Sequence, residues 1–161
     1  MKPMRVLAID PGYDRMGIAV LEGDPSAPTF VWSDCVTPEK GSAETRLAAI
    51  SDSVKQAIHE FKPNLLALEK LFFSTNRKTA IQVGEARGAV LAVAGNYALP
   101  VREYSPQEVK LAVTGYGASD KRAVSHMVEK LVMLPPKKRR DDELDAIALG
   151  IAALSARQST P

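Results

Sequence analysis

The chain has 161 residues, of which 45% are hydrophobic, so it is long and apolar enough for one folded domain, and global disorder is excluded. Its 21 basic and 19 acidic residues give a formal net charge of only +2, which neither requires nor excludes nucleic acid as a partner. The single cysteine, Cys35, excludes an intrachain disulfide and a cysteine-rich zinc site, and no apolar run approaches the roughly 20 residues of a membrane-spanning helix. We therefore expect one cytoplasmic domain over residues 1–157, without a membrane segment, and a disordered tail at residues 158–161.

The first half of the chain is predicted to contain four strands and one helix. Short apolar runs predict strands over residues 4–10, 16–21 and 29–36. The turn at Pro11 and Gly12 makes the first two an antiparallel hairpin. Residues 43–61 carry apolar side chains at three- and four-residue steps, which predicts a helix with one buried face. A further apolar run at residues 65–69 predicts the fourth strand.

The second half is predicted to be mainly helical. We expect a helix over residues 78–97, a short strand at 101–104, a helix opened by Ser105 and Pro106, another over 119–131, and a last helix over 141–156. Ser105 suits the N-cap position, and Pro106 suits the first helical position. Together these elements predict an α/β fold with a mixed five-stranded sheet flanked by helices.

Two of the predicted buried strands run directly into an acidic residue. Asp10 ends the first strand and Glu69 ends the fourth. Ligand sites in open α/β sheets lie beyond the carboxyl ends of the strands, so these acids meet at one edge if their strands are parallel neighbours. Burying a carboxylate is costly unless a cation or hydrogen bonds offset the lost hydration. We therefore expect a metal ion beside Asp10.

A second acidic pair opens the last helix. Asp142 and Asp145 are three residues apart and can share a face, although acids in a first helical turn can also act only as favourable partners of the helix dipole. With Asp10 and Glu69 they would form an all-oxygen site, which suits Mg²⁺ or Mn²⁺ rather than zinc. Two such ions about 4 Å apart can support phosphodiester cleavage.

Several short motifs follow one another in an order and spacing that resemble a known family. The motifs are Ile9-Asp10-Pro11-Gly12, Leu68-Glu69-Lys70-Leu71-Phe72-Phe73, Gln82-Val83-Gly84-Glu85-Ala86-Arg87-Gly88, Tyr104-Ser105-Pro106-Gln107-Glu108-Val109-Lys110 and Asp142-Glu143-Leu144-Asp145-Ala146. Through them the chain resembles the RuvC family of bacterial Holliday junction resolvases, which belongs to the ribonuclease-H-like superfamily. The resemblance spans most of the chain, and the middle motifs separate it from the YqgF-type relatives that share the fold.

The resemblance implies a metal-dependent nuclease. Asp10 would bridge two Mg²⁺ ions per subunit, with Mn²⁺ possible, and Glu69, Asp142 and Asp145 would complete the site. A homodimer would nick two strands of a four-way DNA junction in recombination and repair, leaving a 5′-phosphate and a 3′-hydroxyl. The family also implies a partnership with the RuvA–RuvB branch-migration complex.

The resemblance also implies a set of DNA contacts. The candidates are Phe72, Phe73, Arg87, Lys110, Lys121, Lys137, Lys138, Arg139 and Arg140. Phe72 falls where the family places an aromatic wedge that stacks on a base, although one of the two phenylalanines can equally belong to the core. The lysines and the basic run can equally be solvated side chains, and Arg87 can lie at a subunit contact.

Two glycines lie within a predicted helix, and two positions of the chain depart from the family pattern. Gly84 and Gly88 cost about 1 kcal/mol each relative to alanine, which is explained if another backbone packs there, either within the chain or in a dimer. The turn around Arg15 and the position of Lys70 depart from the family pattern, but neither departure removes a ligand.

Three other functions remain open at this level. They are a YqgF-like nuclease that acts on structured RNA, a non-catalytic junction-binding protein, and a phosphotransferase of the actin and sugar-kinase fold. The chain is short for a two-lobed ATP enzyme and has no second phosphate loop, which argues against the third.

Overall fold

The computed structural model describes residues 2–24, 26–71 and 76–156. Its five strands are β1 (Arg5–Asp10), β2 (Met16–Asp24), β3 (Ala27–Val36), β4 (Leu65–Glu69) and β5 (Val101–Tyr104). They lie side by side in the order β3-β2-β1-β4-β5. Because β1 is antiparallel to β2 and parallel to β4, the sheet is mixed, as predicted.

Five helices flank the sheet in the described part of the chain. They are α1 (Ala43–Phe61), α2 (Arg77–Asn96), α3 (Pro106–Thr114), α4 (Lys121–Leu131) and α5 (Asp141–Ser155). Helix α4 begins at Lys121 rather than at residue 119, because the Asp120 side chain accepts a hydrogen bond from the Ala123 backbone N–H and forms the N-cap. Strand β2 is longer than predicted, because its pairing with β3 continues to Asp24. None of the helices described is both long and apolar enough to cross a membrane.

The side chains of β1 alternate between two hydrophobic layers. Val6 and Ala8 pack with α3, α4 and α5 on one face of the sheet, whereas Leu7 and Ile9 pack with α1 and α2 on the other. Helix α5 is buried from Ala146 to Leu154 and lies directly on the sheet. Asp10 ends β1 on the same side as Val6 and Ala8, so its side chain must project toward α5.

Candidate active site

Asp10 and Glu69 project from neighbouring parallel strands toward the same helix. In the register between β1 and β4, Ile9 lies opposite Leu68, so each acid follows at the same edge of the sheet. Ala8 and Ala67, two residues before the acids, both pack in the layer that contains α5. The charge of Glu69 is one of the causes that raise the pKa of Asp10, so the two side chains lie close together.

Gly17 brings the first turn of α5 against this edge. Gly17 lies opposite Asp10 in the β1–β2 pairing. A Cβ atom built on Gly17 would lie 1.8 Å from the backbone oxygen of Asp142, well inside van der Waals contact. Only glycine permits this approach, and the approach delivers Asp142 and Asp145 to the two strand-end acids.

The resulting cluster carries an excess of negative charge. Burial, followed by the neighbouring charges of Glu69, Asp145 and Asp142, raises the pKa of Asp10 from 3.8 to about 9. Burial also raises the pKa of Asp145, although the ammonium of Lys121 opposes that rise. The four acids are therefore close enough to repel one another, and Asp10 keeps its proton at neutral pH while no metal ion is bound.

Two cations of the protein hold the acids that belong to α5. Arg15 Nε lies 3.2 Å from Asp142 Oδ2, and Lys121 Nζ lies 3.6 Å from Asp145 Oδ2. Within residues 2–24, 26–71 and 76–156, no three His, Cys, Asp or Glu side chains are arranged so that they could hold a metal ion. In this arrangement Asp142 and Asp145 are each paired with a protein cation.

Glu143 anchors the start of α5 from inside the protein. Ser33 Oγ donates a 2.6 Å hydrogen bond to its carboxylate, and Arg139 Nε lies 3.5 Å from the same oxygen. The side chains of Glu143 and Arg139 are only 4% and 6% exposed. Lys137, which is half exposed, approaches that oxygen to 3.3 Å. Glu143 thus fixes the segment before α5 as well as the helix itself.

The four basic residues 137–140, which were predicted to contact DNA, do not all face solvent, because Arg139 contacts Glu143. The guanidinium of Arg139 is turned into the protein, also contacts the carbonyl of Pro135, and lies over the ring of Phe30. Such burial is at odds with a DNA contact by Arg139. Lys138 and Arg140 are exposed, so their predicted contact remains sterically available.

The other predicted DNA contacts lie in three places. Arg87 binds within the chain, where it donates a 2.8 Å hydrogen bond to the backbone oxygen of Glu69 and pairs with Glu103. Lys110 and Lys121 line a cavity next to the acids. Phe72 and Phe73 lie outside the described residues, as does the tail predicted at 158–161.

Helix α2 presents an open face at the glycines. A Cβ atom on Gly84 or Gly88 would meet no described atom within 4 Å. Ile81, at 62% exposure, and Leu91 are exposed on the same side. Within the described residues, no other backbone segment of this chain therefore packs against the two glycines.

Three residues that shape the site were not predicted to do so. Arg15 was noted only as a departure, although its place in the turn after Asp10 was a signal. Gly17 lies opposite Asp10 in a hairpin, so its lack of a side chain could have indicated a close contact. Glu143 could have been found from its helical spacing, since it lies one turn before Ile147 on the buried side of α5.

The chain matches known proteins over nearly its whole length. The model of the family described as crossover junction endodeoxyribonuclease RuvC matches residues 6–153. The chain is 41% identical over 148 residues to the crossover junction endodeoxyribonuclease RuvC of Thermomicrobium roseum, covering 92% of this chain and 91% of the relative. It is 40% identical over 153 residues to that of Moorella thermoacetica, covering 94% and 92%.

Solved structures agree with this assignment. The structure of T. thermophilus RuvC in complex with a Holliday junction substrate superimposes with a TM-score of 0.91 at 32% identity, covering 98% of this chain and 97% of that chain. The yeast mitochondrial Holliday junction resolvase Ydc2 superimposes with a TM-score of 0.71 at 12% identity, covering 96% and 81%, and supports the ribonuclease-H-like fold alone. The chain therefore belongs to the RuvC family of crossover junction endodeoxyribonucleases.

Proposed function

We propose that this chain is a metal-dependent endonuclease that resolves four-way DNA junctions. It nicks two strands of the junction, and each nick leaves a 5′-phosphate and a 3′-hydroxyl. The observation that carries the proposal is the acidic cluster, in which burial and three neighbouring acids raise the pKa of Asp10 to about 9. Four acids that repel one another in this way are a site for cations, because a bound metal ion would offset the repulsion. The relatives named above supply the substrate class.

We assign Asp10, Glu69, Asp142 and Asp145 as ligands of two Mg²⁺ ions per subunit, with Mn²⁺ as a substitute. The donor set fits, because oxygen ligands of high negative charge suit these hard cations. When bound, the ions supply Lewis-acid stabilisation of the phosphate and lower the pKa of an attacking water. The chain would hold the ions through these four carboxylates, and Arg15 and Lys121 would compete with the ions for Asp142 and Asp145.

The basic residues near the site position the DNA. Lys110 and Lys121 lie beside Glu69 and Asp145, so their ammonium groups can hold the phosphates on either side of the cleaved bond. We assign Lys138 and Arg140 to phosphates farther along the DNA and Arg139 to the structural contact with Glu143. Base stacking by Phe72 or Phe73 remains part of the proposal.

We propose that the open face of α2 pairs with the same face of a second subunit. Gly84 and Gly88 allow close approach of two helices, and the exposed Ile81 and Leu91 supply apolar surface around them. Replacing Gly88 with Glu should leave the fold intact but yield a monomer by analytical ultracentrifugation. From the family resemblance we also propose a single domain over residues 1–157, a cytoplasmic location, and the RuvA–RuvB complex as partner.

The test compares Asp10→Asn and Asp142→Asn with Asp52→Asn, a control at an exposed position of α1. Each variant is assayed with Mg²⁺ on a synthetic four-way DNA junction, a linear DNA duplex and a structured RNA. Loss of junction cleavage in the first two variants alone supports the catalytic assignment. Unchanged cleavage by Asp10→Asn would refute the assignment, and faster cleavage of RNA than of the junction would refute the substrate.

A further inference from the structure

The turn between β1 and β2 is held rigidly from inside the protein. Arg46 of α1, whose side chain is only 6% exposed, donates a 2.9 Å hydrogen bond to the backbone oxygen of Tyr13 and pairs with Asp14 at 2.8 Å. Within the turn, a Cβ atom built on Gly12 would overlap the backbone oxygen of Arg15, so only glycine allows the turn to close this tightly. The backbone of Arg15 is therefore fixed, and a change in its contacts must come from its side chain.

The side chain of Arg15 makes an ion pair that can exchange. It is 52% exposed, and its Nε atom lies 3.2 Å from Oδ2 of Asp142, whose side chain is 26% exposed. Ion pairs between such partly solvated groups are weak, so a competing cation or anion can separate them. The guanidinium also carries N–H donors on its terminal nitrogens, in a planar fork that matches a phosphate. Arg15 can therefore exchange the carboxylate for a phosphate at little cost.

A second exposed cation lies on the same flank of the acids. Burial, and then the charge of Asp142, raise the pKa of the Cys35 thiol in β3. The charges of Arg140 and Arg15 oppose that rise, so both arginines lie close to this thiol. Strand β3 lies on one side of β1 in the sheet, whereas the cavity lined by the two lysines adjoins β4 on the other side. Cations therefore lie on both flanks of the acids, where a DNA strand that crosses them presents successive phosphates.

We propose that Arg15 is a DNA-positioning residue that is released from Asp142 when metal ions occupy the acids, and that it then pairs with a phosphate of the bound strand. The inference rests on the proposed function, since it assigns a further role at the same site. A carboxylate that serves as a metal ligand attracts a guanidinium less, and a divalent ion beside it repels Arg15. The anion that replaces the carboxylate is the DNA backbone. Arg15 thereby makes the grip on DNA strongest when the metal site is filled.

The experiment measures how salt weakens binding of a synthetic four-way junction. The slope of the logarithm of the binding constant against the logarithm of the salt concentration reports how many phosphates the protein's cations contact. Binding is measured in saturating Ca²⁺, which also takes oxygen ligands, and in EDTA. The variants are Arg15→Gln, Arg15→Lys and Lys130→Gln. Lys130 is an exposed residue in the last turn of α4 and controls for the loss of one positive charge.

In Ca²⁺, Arg15→Gln should lower the magnitude of the slope by about one unit and weaken junction binding at least about threefold. In EDTA, the same substitution should leave the slope unchanged, because Arg15 of the parent is then paired with Asp142. Arg15→Lys retains the charge and should keep the slope of the parent in both conditions. Lys130→Gln should also keep the slope of the parent in both.

A second set of variants releases Arg15 without a metal ion. In EDTA, Asp142→Asn should raise the magnitude of the slope by about one unit, because Arg15 loses its carboxylate partner and can contact a phosphate. The double variant with Arg15→Gln should return to the slope of the parent. If the pair of Arg15 and Asp142 served only to hold α5 at the sheet, neither change in slope would occur.

The inference is overturned if Arg15→Gln lowers the slope equally in Ca²⁺ and in EDTA, in neither of them, or in EDTA alone. It is also overturned if Arg15→Lys loses as much as Arg15→Gln, or if Asp142→Asn leaves the slope in EDTA unchanged. These results leave the proposed function intact, because the parent still cleaves the junction. Failure of the proposed function is separate, since the parent would then cleave no four-way junction in Mg²⁺.

Discussion

Replacing Glu143 with alanine should destabilise the protein by about 3–5 kcal/mol, the usual cost of removing one partner from a buried ion pair. Glu143 and Arg139 are 4% and 6% exposed, so the substitution leaves a buried guanidinium without its carboxylate. Ser33 also loses the acceptor of its 2.6 Å hydrogen bond, and this loss accounts for about 1 kcal/mol of that total. The pairing with Lys137 contributes little, because that lysine is half exposed.

For a chain of this size, each kcal/mol shifts the melting temperature by about 2–4 °C, so Glu143→Ala should lower it by roughly 6–20 °C. Differential scanning calorimetry and urea unfolding measure the change. The double variant with Arg139→Met should recover most of the loss, because both charges are then removed. A Glu143→Ala protein within 1 kcal/mol of the parent would refute the argument that this pair anchors α5.

Three further predictions concern the residues around the acids. Gly17→Ala should reduce kcat on the junction about 100-fold or more, because the added Cβ would collide with the Asp142 backbone oxygen and displace α5. Gly41→Ala is the control and should cleave normally, because no described atom lies within 4 Å of a Cβ at that position. Asp10→Asn should stabilise the metal-free protein. The pKa of Asp10 is about 9 in the folded state and near 3.8 in the unfolded state, so the stability of the parent falls as pH rises between these values. The advantage of the variant should grow across this range to at least about 1 kcal/mol at pH 7, and a pH-independent difference in unfolding free energy would contradict it. Arg15→Gln should tighten Mg²⁺ binding in the absence of DNA by up to about fivefold in calorimetry, since it removes a half-exposed cation that competes for Asp142, and weaker binding would contradict that competition.

The fold was largely predictable because its signals are local. Apolar runs that end in Asp10 and Glu69 located β1 and β4, and helical periodicity located α1 with the bounds that the structure shows. The start of α4 was missed, because Asp120 competes with the preceding residues for the N-cap position. The parallel pairing that unites Asp10 with Glu69 was stated only as a condition, since strand order depends on contacts between distant residues.

The four acids were predicted as a group from the sequence, whereas the residues that contact them were not. Arg15 lies in a turn, where side chains have no periodic pattern that indicates direction. The buried contacts of Glu143 were not predicted, because its partners Ser33 and Arg139 come from segments whose arrangement only the fold determines. Gly84 and Gly88 indicated close packing without indicating the partner. We propose that the partner is the same face of α2 in a second subunit.

The central claim is that four acids from β1, β4 and α5 form one metal-dependent catalytic centre. Its most direct test is single-turnover cleavage of a synthetic four-way junction by the parent and by Asp10→Asn in Mg²⁺, with junction affinity measured separately in Ca²⁺. The account predicts that Asp10→Asn cleaves at least about 100-fold more slowly while it still binds the junction, because it loses a group that acts on the reacting phosphate. Cleavage by Asp10→Asn at the rate of the parent would contradict the account.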